Sequence, residues 1–230
     1  MGEELSLFAE AINWKQYYAK FMVPYFGKRV LEVGAGIGAT TEVLCRNGEH
    51  EEWMCLEPDG LLLSEIERKI KDGELPDFCS VVEGQLTDLK NGKKYDSILY
   101  IDVLEHIEHD HQELLNATSL LNDGGHLIVL SPSFKFLYSS FDRSIGHFRR
   151  YDKGMISEFP VPRLKQVRLI YLDSVGMLTS LANKYLLRQD YPTKKQILLW
   201  DRWIIPFAKL VDPMVFYSFG RSILGIWVKK

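Results

Sequence analysis

Three glycines crowd one short stretch of this chain, Val30-Leu-Glu-Val-Gly-Ala-Gly-Ile-Gly38. Gly34, Gly36 and Gly38, with Ala35 between the first two, form a G-x-G-x-G spacing where a β-rich run gives way to a helical one. Glycines placed this way let the backbone turn tightly and approach a ligand with no Cβ in between. A dinucleotide fingerprint reads G-x-G-x-x-G and aims a helix N-terminus at a pyrophosphate. Here the spacing is shorter and Glu32 precedes the first glycine, which suits a ligand with a cationic amine and no phosphate. Glu57, followed by Pro58, closes the next β-rich run, where a carboxylate can accept both hydroxyls of a ribose. After the third run, the Gln85 side chain and the Leu86 amide can read an adenine edge.

A second group of polar residues can act on whatever lies beyond that ligand. His147 stands with Arg149, Arg150 and Tyr151 in a basic, aromatic segment. An imidazole there can take a proton as a general base, and the arginines suit an acceptor carrying a carboxylate or phosphate. The plainer reading, a histidine tying the loop down with arginines in salt bridges, weighs about equally. Tyr18 and its neighbour Tyr17 can close over the site from the N-terminal helix, or simply pack. Asp102, Glu105 and His106 fall at i, i+3 and i+4 of an expected helix, a spacing that can present ligands to a divalent ion with His147 or His111. Packing is the preferred reading, and no metal is assigned.

The elements that must position these groups follow from hydrophobic periodicity. Short β-rich runs at 29–33, 53–57, 80–83, 97–101 and 126–130 alternate with helical stretches at 39–46, 61–71 and 105–121. Such alternation implies a parallel sheet with helices on both faces. A helix over 6–26 precedes it. After Ser131 the alternation breaks: an irregular stretch over 132–161 leads to a strand at 167–172, helices at 174–187 and 193–210, and a last strand at 222–228. The chain reads as one domain over 1–230, with a helical cap (1–27), a cofactor core (28–131) and substrate-side insertions with the last strands (132–230). The apolar segment 196–211 can be a lid, a dimer surface or a membrane-surface helix. Asp201, Arg202 and Lys209 make no strongly basic face, so burial against the domain or a second subunit is expected.

These segments, in this order, resemble the class I S-adenosylmethionine (SAM)-dependent methyltransferases. Tyr95-Asp96 through Asp102-Val-Leu-Glu-His106 matches their fourth strand and its exit, and Leu121-Asn-Asp-Gly124-Gly125 looks like their turn into strand five. The resemblance implies a Rossmann-like α/β sheet with an antiparallel last strand, and SAM as cofactor. It further implies that Glu32 and the Gly34–Gly38 loop hold the methionine part, Glu57 the ribose and Gln85 with Leu86 the adenine. Asp102 and Val103 would lie beneath the sulfonium. Gln85 stands where the family commonly has Asp. The segment Gly146-His-Phe-Arg-Arg-Tyr151 and the closing Gly220-Arg-Ser-Ile-Leu-Gly-Ile-Trp resemble a subgroup of small-molecule methyltransferases. Acidic-x-x-Glu-His is also similar to metal-assisted methyltransferases acting on RNA ends or catechol-like quinone precursors.

The expectation is therefore methyl transfer from SAM to an oxygen or nitrogen, less readily a carbon, of a small-molecule acceptor. Alignment and exclusion of water would do most of the work, with His147 and Asp102 as catalytic candidates. Three alternatives stay open: a metal-assisted transferase, an NAD-dependent oxidoreductase and a non-catalytic SAM-binding scaffold. The second lacks a Tyr-x-x-x-Lys pair. A formal charge of −3 and a pI of about 6.1 give no footprint for indiscriminate nucleic-acid binding. Cys45, Cys55 and Cys79 form no C-x-x-C pair and read as reduced thiols. No membrane span is expected, and cytoplasmic residence as a monomer or homodimer is.

Overall fold

The computed structural model describes residues 3–89, 92–161, 163–182 and 191–230. Its strands are β1 (Arg29–Val33), β2 (Glu52–Glu57), β3 (Cys79–Glu83), β4 (Tyr95–Ile101), β5 (Leu121–Pro132), β6 (Leu164–Leu172) and β7 (Ser222–Lys229). They form one sheet in the order β3-β2-β1-β4-β5-β7-β6. The first five are parallel, and β7 runs antiparallel to both its neighbours. This is the expected Rossmann-like layout, with the reversed last strand included.

Alternation along each strand feeds two cores. Val30, Cys55, Leu99 and Ile128 pack into one, while Leu31, Val33, Ile98, Tyr100, Leu127 and Val129 pack into the other. Strands buried on both faces need apolar side chains in both registers, which explains their near-continuous hydrophobic sequence. Strand order reverses between β1 and β4, so the connections leaving these two strands diverge and open a crevice at their C-terminal ends.

Several helices depart from the sequence expectation for local reasons. The expected 6–26 helix is two, α1 (Glu3–Ala9) and α2 (Ile12–Met22), and Pro24 ends the run in a 3-10 turn. The break is capped from both sides. The Lys15 ammonium donates to the Phe8 and Ala9 carbonyls at the end of α1, and the Asp201 carboxylate accepts the Asn13 and Trp14 N–H groups at the start of α2. The 39–46 helix shrinks to one turn, α3 (Thr41–Leu44), whereas α4 (Gly60–Lys71) forms as expected, capped by Asp59.

The expected 105–121 helix also fails at its start. Asp102 holds a left-handed φ of 54°, which no helix continues, so Leu104–His106 is a 3-10 turn and α5 begins only at Asp110 (Asp110–Leu120). Between β5 and β6 lie two short helices, α6 (Ser140–Ser144) and α7 (Lys153–Ser157). Between β6 and β7 come α8 (Ser174–Ala182), α9 (Lys194–Leu199), a π turn (Trp200–Ile204) and α10 (Ile205–Met214). The expected continuation of α8 to Leu187 falls outside the described residues. Pro206 lacks an N–H and crowds the preceding turn, and the π turn widens the helix where that clash would occur.

Buried aspartates bind this last insertion to the rest of the fold. Asp212, fully buried, accepts from the Tyr17 hydroxyl and the Asp173 N–H, both at 2.8 Å, and from the Ser174 N–H at 2.9 Å. Asp212→Ala leaves those donors unpaired. We expect it to lower unfolding free energy by about 3 kcal/mol, measured by urea denaturation, with Asp212→Asn losing less.

Candidate functional site

β1 runs straight into the glycine loop. Gly34, Gly36 and Gly38 all take left-handed φ, at 67°, 58° and 74°, as the spacing requires. A Cβ on Gly34 would stand 2.6 Å from the Val103 side chain. The end of β2 fixes the loop: the Gly34 N–H donates to the Leu56 carbonyl and the Gly36 N–H to Glu57 Oε2, both at 2.8 Å. Glu57 Oε1 accepts the Asp59 N–H at 3.0 Å, so each oxygen keeps a lone pair for a ligand. Gln85 joins this end of the sheet, since the Gly84 N–H donates to the Glu57 carbonyl at 3.1 Å.

Below the loop Glu32 is buried, and its Oε2 accepts from the Thr41 hydroxyl and the Trp53 indole, both at 2.8 Å. Burial pushes its carboxyl up to about 7, against the pull of those two bonds. A cavity of about 860 Å³ opens beside it, of a size that holds a drug-like ligand. Glu32, Gly34, Ala35 and Gly36 form one wall, and Tyr18 with Lys15 of α2 another. The Tyr18 hydroxyl lies 3.4 Å from that of Thr40. Burial lowers the Lys15 ammonium to about 8.

Asp102 opens onto this cavity from the end of β4. Removal from bulk water raises its carboxyl, opposed by the charges of His147, Arg221 and Arg150. One turn on, Glu105 is fully buried, and among the described residues neither carboxylate oxygen meets hydrogen-bond geometry with a partner. Burial pushes its carboxyl far up, and the neighbouring Asp102 adds to the rise.

The insertion after β5 supplies the facing wall. Its centre is Asp142, which accepts from His147 Nδ1 at 2.9 Å and from Arg150 Nε and Nη2 at 2.8 and 3.0 Å. The Ser139 N–H and hydroxyl donate to it as well, at 2.8 and 2.9 Å. Burial alone would raise this carboxyl, yet the His147 bond and the Arg150 charge hold it well below the usual range. With Nδ1 given to Asp142, His147 Nε2 is left as an acceptor, 3.9 Å from Glu105 Oε1. The His106 ring meets it edge-on, with centroids 4.5 Å apart. One ligand atom from each of Glu105, His106 and His147 lies within 4.8 Å of the others, the spacing of a three-ligand metal cluster.

The fold thus brings Glu32, Gly34, Ala35, Gly36, Tyr18, Asp102, His106, His147 and Arg150 to one cavity. Gly38, Glu57, Pro58, Gln85, Leu86 and Val103 lie around the glycine loop but outside that wall. Arg149 and Tyr151 are placed elsewhere. Arg149 pairs with Asp110 at 2.6 Å, and the fully buried Tyr151 hydroxyl donates to the same carboxylate at 2.7 Å. His111 faces Phe159 rather than the cavity. Sequence reasoning gave no role to Lys15, Asp142 or Arg221, all of which line it. Asp142 offered one signal, its place three residues after Ser139 in a capping box.

Glu32 makes a pH prediction. Between its unfolded value near 4.5 and its folded value of about 7, the native state holds a proton that the unfolded chain has lost. Stability therefore falls as pH rises through that window, by on the order of 3 kcal/mol from this group, and is level above it. Glu32→Gln should flatten that part of the profile in urea titrations across the window.

Comparison with known proteins agrees with this geometry. Residues 31–127 match the family model of a methyltransferase domain. A demethylmenaquinone methyltransferase of Tropheryma whipplei (strain Twist) is 26% identical over 130 residues, 53% of this chain and 49% of that protein. A ubiquinone biosynthesis O-methyltransferase of Xylella fastidiosa (strain 9a5c) is 31% identical over 114 residues, 49% of this chain and 45% of that protein. The chain spans about half the length of the curated relatives it matches. Among solved structures, a geranyl diphosphate methyltransferase in complex with SAM superposes with a TM-score of 0.66 at 11% identity, covering 93% of this chain and 85% of that one. Residues 31–127 are thus similar to a methyltransferase domain, and the chain shares its fold with solved methyltransferases.

Proposed function

We propose that this protein transfers the methyl group of SAM to an oxygen or nitrogen of a small-molecule acceptor bound in the 860 Å³ cavity. The observation that carries the reading is the junction of the left-handed glycine loop with the Asp142–His147 pair across one cavity. On this reading Glu32 and the Gly34–Gly38 loop take the methionine part of SAM, Glu57 with Pro58 the ribose, and Gln85 with Leu86 the adenine. Asp102 and Val103 lie under the sulfonium.

Methyl transfer displaces an already activated sulfonium, so alignment and desolvation supply most of the acceleration. A hydroxyl or ammonium acceptor must also lose a proton. His147 Nε2 is the group held to receive it, because Asp142 fixes the ring and stabilises the imidazolium that forms. Both guanidinium edges that would have argued for an anionic acceptor are engaged, Arg149 by Asp110 and Arg150 by Asp142. That argument passes to Arg221, whose guanidinium sits 3.8 Å from Asp173 and lines the cavity.

Thermal shift comes first: S-adenosylhomocysteine should raise Tm and NAD should not, and the reverse overturns the reading. Radiolabelled SAM offered with hydroxyl and amine acceptors then reports transfer, and binding without any labelled product would favour a scaffold. His147→Ala should cut turnover by about 100-fold while S-adenosylhomocysteine affinity stays within about twofold. His147→Gln, which keeps a donor toward Asp142, should not restore turnover if His147 is the base.

A second reading has its own observation, the fully buried Glu105 carboxylate clustered with His106 and His147. A divalent cation fits a carboxylate and two imidazoles, one of them oriented by Asp142. It would supply Lewis acidity toward the acceptor oxygen. Chelator treatment separates the two: activity lost and then regained with added divalent ion supports the metal, and unchanged activity supports the free base.

A further inference from the structure

One side of the last helical run faces away from the protein. α9, the π turn and α10 follow one another without a break from Lys194 to Met214, a rod of roughly 30 Å. Ile197, Trp200, Ile205 and Ala208 turn inward and are buried. At three- and four-residue spacing on the other side stand Leu199, Trp203, Phe207, Leu210 and Met214, between 57% and 76% exposed. The domain itself therefore buries one side of this segment only. Of the fifteen exposed large apolar side chains among the described residues, nine lie between Leu178 and Phe216, so the exposure is concentrated and not scattered.

The charges on the rod are sorted as well. Lys194, Lys195 and Arg202 reach the surface, Lys209 is half-buried with its ammonium over the Tyr17 ring, and Lys20 of α2 adds its charge beside it. Lys194 is matched by Glu10 of α1, and Arg202 lies 5.9 Å over the Trp203 ring. The two acids of the rod are turned inward: Asp201 caps α2, and Asp212 accepts from Tyr17 and the start of α8. An apolar stripe that includes a tryptophan, edged by cations with its acids withdrawn, is the composition of a helix lying in a bilayer interface. No helix among the described residues is long and apolar enough to cross a membrane, so the contact would be along its length. A second copy meeting this face about a two-fold axis would offer the cations no acid from its own rod, since Asp201 and Asp212 are turned inward.

We infer that the outer face of the 194–214 rod is a docking surface for a membrane containing anionic lipid. Leu199 is 58% exposed on this face and also lines the cavity, so docking brings the cavity mouth to the bilayer surface.

The test uses the full chain with vesicles of phosphatidylcholine alone and of phosphatidylcholine mixed with phosphatidylglycerol. Cosedimentation should favour the mixed vesicles, and added salt should weaken it. The double variant Trp203→Glu, Phe207→Glu should lose vesicle affinity by at least about tenfold while keeping its Tm. Equal binding by variant and parent, or no binding to either vesicle, overturns the inference. Dimers in sedimentation equilibrium that the same variant dissolves, with no vesicle binding, would assign the face to a second copy instead. Binding of S-adenosylhomocysteine, measured on both proteins without vesicles, reads the cofactor assignment separately, so failure of one is not mistaken for failure of the other.

Discussion

Asp142 keeps its charge though fully buried in the cavity wall, which is tolerable only because five donor groups converge on it. A buried carboxylate stripped of any of these would be costly, so the groups hold one another in place. His147 gets its ring orientation from this cluster, Arg150 its rotamer, and the Ser139 turn its start. The facing wall of the cavity is organised by one ionised side chain.

The same device recurs farther out. Asp201 and Asp212 sit on the last insertion and accept from backbone and side chains of α2, nearly two hundred residues earlier in the chain. They fasten the N-terminal helix and the insertion into a single cover over the cavity. Their apolar surroundings, Trp14, Tyr17 and Trp200, add aromatic contacts at ring separations of 5.8 to 6.2 Å. Hydrophobic burial gathers these elements, and the carboxylates decide which way each one faces.

What could be read in advance was whatever is decided locally. Glycines permit left-handed φ, so three of them at close spacing announced the Gly34–Gly38 loop, and two-sided burial wrote the strands into runs of apolar residues. Helix ends were less legible. Asp102 interrupts an excellent helical pattern because it stands at positive φ as the chain leaves β4, with its N–H bonded to the Leu130 carbonyl of β5. Arg149 and Arg150 show the same limit. They are adjacent and chemically identical, yet one meets the buried Asp110 away from the cavity and the other meets Asp142 at the cavity. Lys15 and Arg221 gave no warning, since nothing in their sequence neighbourhoods records that the fold brings both to the cavity of the glycine loop.

The sheet's edge has a further meaning. Leu172, the last residue of β6, and Ser222, the first of β7, are paired across the ladder, so the chain leaves and re-enters the sheet at adjacent points. Everything between them is, to the sheet, a single long loop whose ends are already closed, and lengthening such a loop costs little entropy. The cofactor side, built on β1 to β4, has no covalent stake in what that loop contains. Evolution or an engineer can therefore rewrite the cover as a cassette, resizing the cavity or changing the surface it rests on, while the glycine loop after β1, in the interior of the sheet, stays as it is.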